Sequence, residues 1–138
     1  MNNVYDLVII GGGPAGLSAG IYAARAKAKV LVIEKGEVGG QIRTTSEVVN
    51  YPGVGKTSGA QLSEGMKKQA AYFGAEFVTA SVNDVDFSNE VKVIKTDKGD
   101  FETLSTIIAT GANPRMIGFK GEAEFKGRGV AYCASCDG

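Results

Sequence analysis

The sequence predicts an α/β fold in which a parallel β-sheet carries an antiparallel insertion. Three observations lead to this prediction. Short, continuous apolar runs alternate with segments of helical periodicity, as expected when buried parallel strands alternate with helices. A glycine-rich turn, GGGPAG, separates the first apolar run from the first helical segment. Between residues 80 and 104 the hydrophobic period changes to two, which is typical of antiparallel strands.

The first half of the chain predicts two strand–helix units. Residues 4–10 (VYDLVII) form an apolar run and predict a buried strand. A helix is expected from Pro14 to Arg25, because proline is well tolerated at the first helical position. Residues 29–34 (KVLVIE) predict a second buried strand, and the glycine-rich residues 36–55 predict a loop.

The second half predicts a helix, a strand, a ribbon and a last strand. Ser58 is a suitable cap for a helix that ends near Phe73, because Gly74 follows as a stop signal. Residues 76–78 predict a third strand, and residues 80–104 an antiparallel ribbon of about three strands. Residues 105–110 (STIIAT) predict a buried strand. This order predicts one half of a Rossmann-like, three-layer fold with a ribbon insertion.

Composition excludes several functional classes. Fifteen basic and fifteen acidic residues cancel, so the chain has no net field to attract nucleic acid or an anionic membrane. Its apolar runs are too short for a signal peptide or a membrane span, and two cysteines without an export signal favour a cytoplasmic setting. The chain contains no histidine, which excludes a histidine-based catalytic dyad and removes the usual general base and the usual metal ligand.

The turn at residues 11–16 fits the G-x-G-x-x-G pattern of dinucleotide-binding sites. Gly11 would turn the chain, Gly13 would let a pyrophosphate approach the backbone, and Gly16 would allow the helix to pack closely on the strand. Glu34 follows at the end of the second strand, where a carboxylate can accept hydrogen bonds from ribose hydroxyls and repels a 2′-phosphate. This favours FAD or NAD over NADP. The alternative is a structural turn followed by a surface glutamate.

The two cysteines, Cys133 and Cys136, form a C-x-x-C pair. The pair is interpreted in three ways. A zinc site needs about four ligands, so it would require another chain. Two inert buried cysteines are a second possibility. The third is a redox dithiol, because two intervening residues bring the sulfurs within bonding reach. Asp137 is a candidate proton donor, or alternatively a helix cap.

With these motifs in place, the chain resembles the N-terminal portion of the low-molecular-weight thioredoxin reductases over essentially its whole length. The matching blocks are VIIGGGPAGLSAGIYAARA, GGQIRTTSEVVNYPG, IIATGANPR and FKGRGVAYCASCDG. The flavoprotein subunit of alkyl hydroperoxide reductase shares these blocks and is a close cousin. One departure is Tyr51, where many members carry tryptophan.

The resemblance implies that the dinucleotide is FAD and assigns a role to each matching residue. Glu34 would hold the ribose, with Lys35 beside it, and Val82 would contact the adenine through its backbone. Asn50 has a structural alternative as a turn residue, and Thr110 and Gly111 as the end of a strand. The residues implied along the pyrophosphate and the flavin are Gly11, Gly13, Pro14, Ala15, Gly16, Gly40, Gln41, Asn50, Ala109, Thr110 and Gly111.

The resemblance also implies the reaction. Cys136 would face the flavin, Cys133 would attack the disulfide of thioredoxin or a thioredoxin-like protein, and Asp137 would act as the acid. Most relatives take electrons from NADPH and some from ferredoxin, and the full-length protein would be a homodimer. Residues 1–115 would form the FAD-binding domain and residues 116–138 the start of the dithiol domain, with residues 111–129 as a candidate hinge region.

Two further expectations follow from the family's length, which is about twice that of this chain. The chain is expected to be a fragment, or to be completed by another chain, with residues 105–110 then forming an open apolar edge. The alternative function is a non-catalytic FAD-binding fragment or assembly module whose remaining half is supplied by another chain.

Overall fold

The computed structural model describes residues 4–133. In this part of the chain lie six strands, two α-helices and a short 3-10 helix. In chain order they are β1 (Tyr5–Ile10), α1 (Pro14–Arg25), β2 (Val30–Glu34), the 3-10 helix (Gly40–Thr44), α2 (Gly59–Tyr72), β3 (Glu76–Thr79), β4 (Val82–Asp86), β5 (Lys92–Thr96) and β6 (Gly99–Ile108).

The strands form one sheet in the order β3-β2-β1-β6-β5-β4. The first four of these are parallel to one another, whereas β5 runs antiparallel to both β6 and β4. The register places Ile10 of β1 beside Ile33 of β2 and Ile108 of β6. The carboxyl ends of these three strands therefore meet at one edge of the sheet. The predicted α/β class with an antiparallel ribbon is confirmed.

Successive residues of β1 and β2 point to opposite faces of the sheet, and each face has its own core. On one face Ile9 and Val32 pack with Ala24 of α1 and Ala70 of α2. On the other face Val8 and Ile33, with their neighbours, pack with Ile94 of the ribbon. The helices, the parallel strands and the folded-over ribbon thus make the three predicted layers.

Local sequence signals account well for the two helices. Helix α1 starts at Pro14 as predicted. Helix α2 is capped by Ser58, whose hydroxyl oxygen accepts the Gln61 N–H at 3.2 Å, while the Gln61 side chain accepts the Ser58 N–H at 3.4 Å. These two bonds satisfy donors that a helix start would otherwise leave unpaired. Gly74 ends the helical segment with a φ of +107°, a conformation that favours glycine.

Two expectations differ from the structure. The predicted loop at residues 36–55 contains the 3-10 helix, and residues 105–110 are not a separate buried strand. The last strand of the ribbon continues directly into them as β6, and Ile107 and Ile108 are 39% and 65% exposed. The expectation of burial is wrong because α1 packs over β1 and β2 instead, with α2 beside α1. Pairing with β5 ends at Thr103, so within the described chain the rest of β6 pairs with β1 alone.

Candidate functional site

The glycine turn, the end of β2 and the residues after β6 come together at the carboxyl edge of the parallel strands. The Gly11 N–H donates to the Ile33 carbonyl at 2.8 Å, and the Ala109 N–H donates to the Ile10 carbonyl at 2.8 Å. This edge is where open parallel sheets bind their ligands. The fold therefore brings the turn, Glu34 and Ala109 together at this edge.

Gly11 and Gly16 are required by packing within the protein itself. A Cβ on Gly11 would lie 2.2 Å from the Ala109 carbonyl oxygen, and Gly11 has a φ of +110°. A Cβ on Gly16 would lie 1.9 Å from the Gly11 carbonyl oxygen. Both positions exclude any side chain, because real Cβ atoms do not approach backbone atoms this closely. Gly16 thus has its predicted role in close packing of α1.

Gly13 is different because nothing in the described protein requires it to be glycine. Its backbone is extended, with φ −76° and ψ −179°, and the nearest atom to a Cβ there would be the Gly40 Cα at 3.9 Å. No side chain caps α1, which begins at Pro14 with Ala15 next. The start of the helix therefore has open space and backbone N–H groups of partial positive charge, which suits an approaching phosphate.

Glu34 ends β2 and is held by two backbone donors. One carboxylate oxygen accepts the Gly12 N–H at 2.7 Å, and the other accepts the Gly36 N–H at 3.1 Å. A carboxylate offers about four lone-pair sites, so this one retains capacity to accept hydroxyl groups. Lys35 follows with an exposed side chain. The two hydrogen bonds fix the carboxylate beside the glycine turn before any ligand arrives.

A cleft of about 270 Å³ opens beside Glu34 and includes residues that sequence reasoning missed. Thr79, the last residue of β3, pairs with Glu34 in the parallel register and lines the cleft. Arg43 lines it as well and forms an ion pair with Glu37 at 2.5 Å. Thr79 was detectable from sequence, because the third parallel strand must also end at the carboxyl edge.

The other predicted residues lie in two places: Gly40, Gln41 and Asn50 lie between β2 and α2, and Thr110 and Gly111 follow β6. A Cβ on Gly40 would be 3.3 Å from the Gly13 Cα, and the Gln41 side-chain amide donates to the Ala112 carbonyl. Gln41 thus joins the loop after β2 to the exposed segment after β6, which includes Thr110 and Gly111. Asn50 is an exposed residue of the loop closed by the bridge between Val48 and Thr57.

Val82 begins β4 and packs against the core on the ribbon face. Two residues earlier, the Ala80 N–H donates to the Glu34 carbonyl at 3.0 Å. This bond brings the start of the ribbon next to the strand end that carries Glu34. The backbone at Val82 therefore approaches the same edge of the sheet from the side opposite the helices.

Of the predicted dithiol residues, Cys133 is disulfide-bonded and half-buried. Cys136 and Asp137 lie outside the described residues. Just before Cys133 the structure shows a feature that sequence reasoning missed. Glu122 is buried and accepts hydrogen bonds from the Ile117 N–H and the Tyr132 hydroxyl. These donors, the Ile117 N–H above all, hold the pKa of the Glu122 carboxyl below its usual range.

No helix in residues 4–133 is long and apolar enough to cross a membrane. That same stretch contains no group of three or more histidine, cysteine, aspartate or glutamate side chains that could hold a metal ion.

Comparison with known proteins now identifies the family. Residues 5–138 match the family model described as pyridine nucleotide-disulphide oxidoreductase. The chain belongs to this family. A pyridine nucleotide-disulphide oxidoreductase named thioredoxin reductase, from Peptoclostridium acidaminophilum, is 54% identical to it over 138 residues. That match covers 99% of this chain and 44% of the relative. The thioredoxin reductase of Bacillus subtilis is 44% identical over 135 residues, covering 98% of this chain and 43% of the relative.

Solved structures of the family agree with these matches. The crystal structure of thioredoxin reductase from Streptococcus pyogenes superposes with a TM-score of 0.89 at 40% identity, covering 99% of this chain and 45% of that one. A ferredoxin-flavin thioredoxin reductase from Clostridium acetobutylicum superposes with a TM-score of 0.73 at 34% identity, covering 96% and 46%. This pyridine nucleotide-disulphide oxidoreductase chain therefore spans less than half the length of these relatives.

Proposed function

We propose that this chain forms the FAD- and dithiol-carrying part of a thioredoxin reductase. The observation that carries the proposal is the space at Gly13. Packing within the protein requires glycine at residues 11 and 16, but at residue 13 a Cβ would occupy only open space beside the uncapped helix start. A pyrophosphate is the group that would need this space. Glu34 is fixed at the next strand end, ready for a ribose.

Different residues at the carboxyl edge would bind different parts of FAD. The N–H groups at the start of α1 would bind the pyrophosphate, and Glu34 would accept hydrogen bonds from the ribose hydroxyls. The backbone at Val82 would contact the adenine, and Thr79 and Arg43 would line the same cleft. On the flavin side the proposed residues are Gly40, Gln41, Asn50, Ala109, Thr110 and Gly111. This part of the proposal is supported by the hydrogen bond from the Gln41 side chain to the Ala112 carbonyl, which joins the two segments that contain these residues.

When bound and reduced by the electron donor of the whole protein, the flavin would supply the electron pair that converts the Cys133–Cys136 disulfide into two thiols. Cys133, as thiolate, then attacks the disulfide of thioredoxin or a similar protein and forms a mixed disulfide. Cys136 attacks Cys133 in that mixed disulfide, which re-forms the Cys133–Cys136 bond and releases the reduced partner. Asp137 would supply the proton that Cys136 needs when its bond to Cys133 breaks.

The proposal extends to the electron donor and the oligomeric state of the whole protein. We propose NADPH as the electron donor of the whole protein and a homodimer as its assembly. Ferredoxin is the second candidate donor, because one relative of similar fold is named a ferredoxin-flavin thioredoxin reductase. Residues 116–138 would begin the domain that carries the dithiol.

The test uses the whole protein to which this chain belongs, purified and supplied with FAD. We expect about one flavin per chain, and we expect an added dithiol to bleach the flavin absorbance through the Cys133–Cys136 pair. Cys136→Ser should abolish bleaching while leaving flavin content unchanged. A protein that binds FAD but is not bleached would be a non-catalytic FAD-binding module, and one that binds no FAD would overturn the proposal altogether.

A further inference from the structure

The carboxylate of Glu122 lies at the centre of the segment that leads to the dithiol. Glu122 is only 2% exposed, one of three buried polar or charged residues in the described chain. One carboxylate oxygen accepts the Ile117 N–H at 2.9 Å and the Tyr132 hydroxyl at 2.7 Å. The other accepts the Gly118 N–H at 2.5 Å. This single side chain therefore joins backbone at residues 117 and 118 to the side chain that directly precedes Cys133.

Backbone hydrogen bonds close the chain between these two attachment points. The Phe125 N–H donates to the Gly121 carbonyl, and the Val130 N–H donates to the Phe125 carbonyl, each at 2.9 Å. The Gly127 N–H donates to the Val130 carbonyl at 2.9 Å. Residues 117–132 thus form a loop that is bonded across its width and tied at both ends to Glu122. We call residues 117–132 the Glu122 loop.

The charge state of Glu122 fits this arrangement. A buried carboxylate is costly unless it is hydrogen-bonded, and this one has three donors, so the ionised form is the one that the loop stabilises. The pKa of the Tyr132 phenol is raised, first by its hydrogen bond to Glu122. The Lys126 ammonium lies 5.5 Å from the centre of the Tyr132 ring and holds that ring from its face.

We propose that Glu122 is a positioning residue for the dithiol: by bonding Ile117, Gly118 and Tyr132 together, it makes the chain up to Cys133 move as one body. This inference rests on the proposed function, in which the dithiol must reach both the flavin and a partner protein. Tyr132 adjoins Cys133, so fixing Tyr132 to residues 117 and 118 fixes the backbone of Cys133 relative to them. Movement of the dithiol would then arise from residues 113–116, between the Glu122 loop and the Ala112 carbonyl that accepts from Gln41.

The experiment compares three variants of the FAD-loaded whole protein. Glu122→Gln keeps the shape of the side chain but puts an amide donor against one of the N–H or O–H donors. Tyr132→Phe removes one hydrogen bond and leaves the carboxylate its two backbone donors. Glu124→Gln, at an exposed position two residues away, removes the same charge and serves as the matched control. Flavin content, thermal stability, the rate of electron transfer between flavin and disulfide, kcat and KM are measured for each.

We expect Glu122→Gln to slow transfer between the flavin and the disulfide at least about tenfold, because a misplacement of about 1 Å can cost about 100-fold. The value of kcat should fall with it, while KM for the partner protein and flavin content stay unchanged. Tyr132→Phe should slow the same step by a smaller factor, and Glu124→Gln should not slow it. A purely structural role would lower stability without this selective loss of kcat.

The outcomes separate this inference from the proposed function. If the unmodified protein shows no dithiol-dependent bleaching of flavin, the proposed function fails first. If the unmodified protein is bleached and the Glu122→Gln and Tyr132→Phe variants transfer electrons within twofold of its rate, only the positioning role is overturned. Should Glu122→Gln not fold, the Tyr132→Phe rate decides: slowed transfer with unchanged flavin content supports the role, and an unchanged rate refutes it.

Discussion

Replacing Gly13 by alanine should separate ligand binding from folding at the proposed FAD site. The added methyl group would meet only the Gly40 Cα, at 3.9 Å, which is an ordinary van der Waals contact. The backbone at residue 13 is extended, so alanine adopts it without strain. Losing glycine at the start of a helix is slightly unfavourable, whereas restricting the unfolded chain is slightly favourable. We therefore expect the free energy of unfolding to change by less than about 1 kcal/mol.

The same methyl group would occupy the space proposed for the pyrophosphate. Forcing an extra methyl group into a close-packed contact typically costs about 1–3 kcal/mol, which corresponds to a Kd raised about 5- to 150-fold. Binding is measured by titrating the apoprotein with FAD and following flavin fluorescence. The free energy of unfolding is measured by denaturant titration of the apoprotein, so that bound ligand does not contribute to it.

Gly16→Ala is the matched control, because it places a methyl group in the same G-x-G-x-x-G motif. Its Cβ would lie 1.9 Å from the Gly11 carbonyl oxygen, about 1 Å inside the closest approach that Cβ atoms show. We expect this variant to lose about 1–3 kcal/mol or more of stability, exceeding any gain in helix propensity. Tight FAD binding by Gly13→Ala would refute the reasoning, and so would a loss of stability by Gly13→Ala equal to that of Gly16→Ala.

Three further predictions concern the fold. Ser58→Ala removes the cap of α2 and should lower the free energy of unfolding by about 1 kcal/mol in a denaturant titration; an unchanged value would contradict the capping role. Ile94→Ala should cost about 2–5 kcal/mol, because Ile94 is fully buried between the ribbon and the sheet, whereas the exposed Val49→Ala should change stability by less than about 0.5 kcal/mol. Burial, and then the Glu76 carboxylate, raises the pKa of Tyr5 to about 12 from its usual 10. The neutral phenol is thus favoured in the folded state, and its contribution to stability should be complete below pH 10 and lost as pH rises through about 12. Tyr5→Phe should remove this part of the pH dependence, and equal curves for the two proteins from pH 9 to 12 would contradict it.

The parts of the fold that the sequence predicted well depend on local signals. Pro14 starts α1, the pair Ser58 and Gln61 starts α2, and the apolar runs of β1 and β2 are buried as their composition indicates. Each of these signals acts over a few residues, so it needs no knowledge of the rest of the chain. The glycine turn is also local, and its spacing predicted the close packing found at Gly16.

The predictions that failed concern which parts of the protein pack over a strand or a side chain, and not whether the strand itself forms. The apolar run that contains Ile107 and Ile108 is a strand, but its burial depends on which layers lie above it. Helix α1 lies over β1 and β2 with α2 beside it, and periodicity gives no information on that placement. Glu122 was missed for the same reason. An isolated glutamate in a glycine-rich stretch is usually a surface residue, and only the folded loop brings three donors to it.

The path from the proposed flavin site to the dithiol is bounded at both ends by hydrogen bonds. At one end Ala109 is bonded to Ile10 and the Ala112 carbonyl accepts from Gln41, so the chain leaves the sheet from a fixed position. At the other end Glu122 binds residues 117 and 118 to Tyr132. The backbone torsions between residues 113 and 116 are those outside both sets of bonds. A substitution that stiffens this interval, such as Arg115→Pro, should therefore slow exchange with the partner protein while leaving flavin content unchanged, which steady-state kinetics and flavin absorbance would measure. Unimpaired turnover in that variant would show that the dithiol moves by rearranging the Glu122 loop itself.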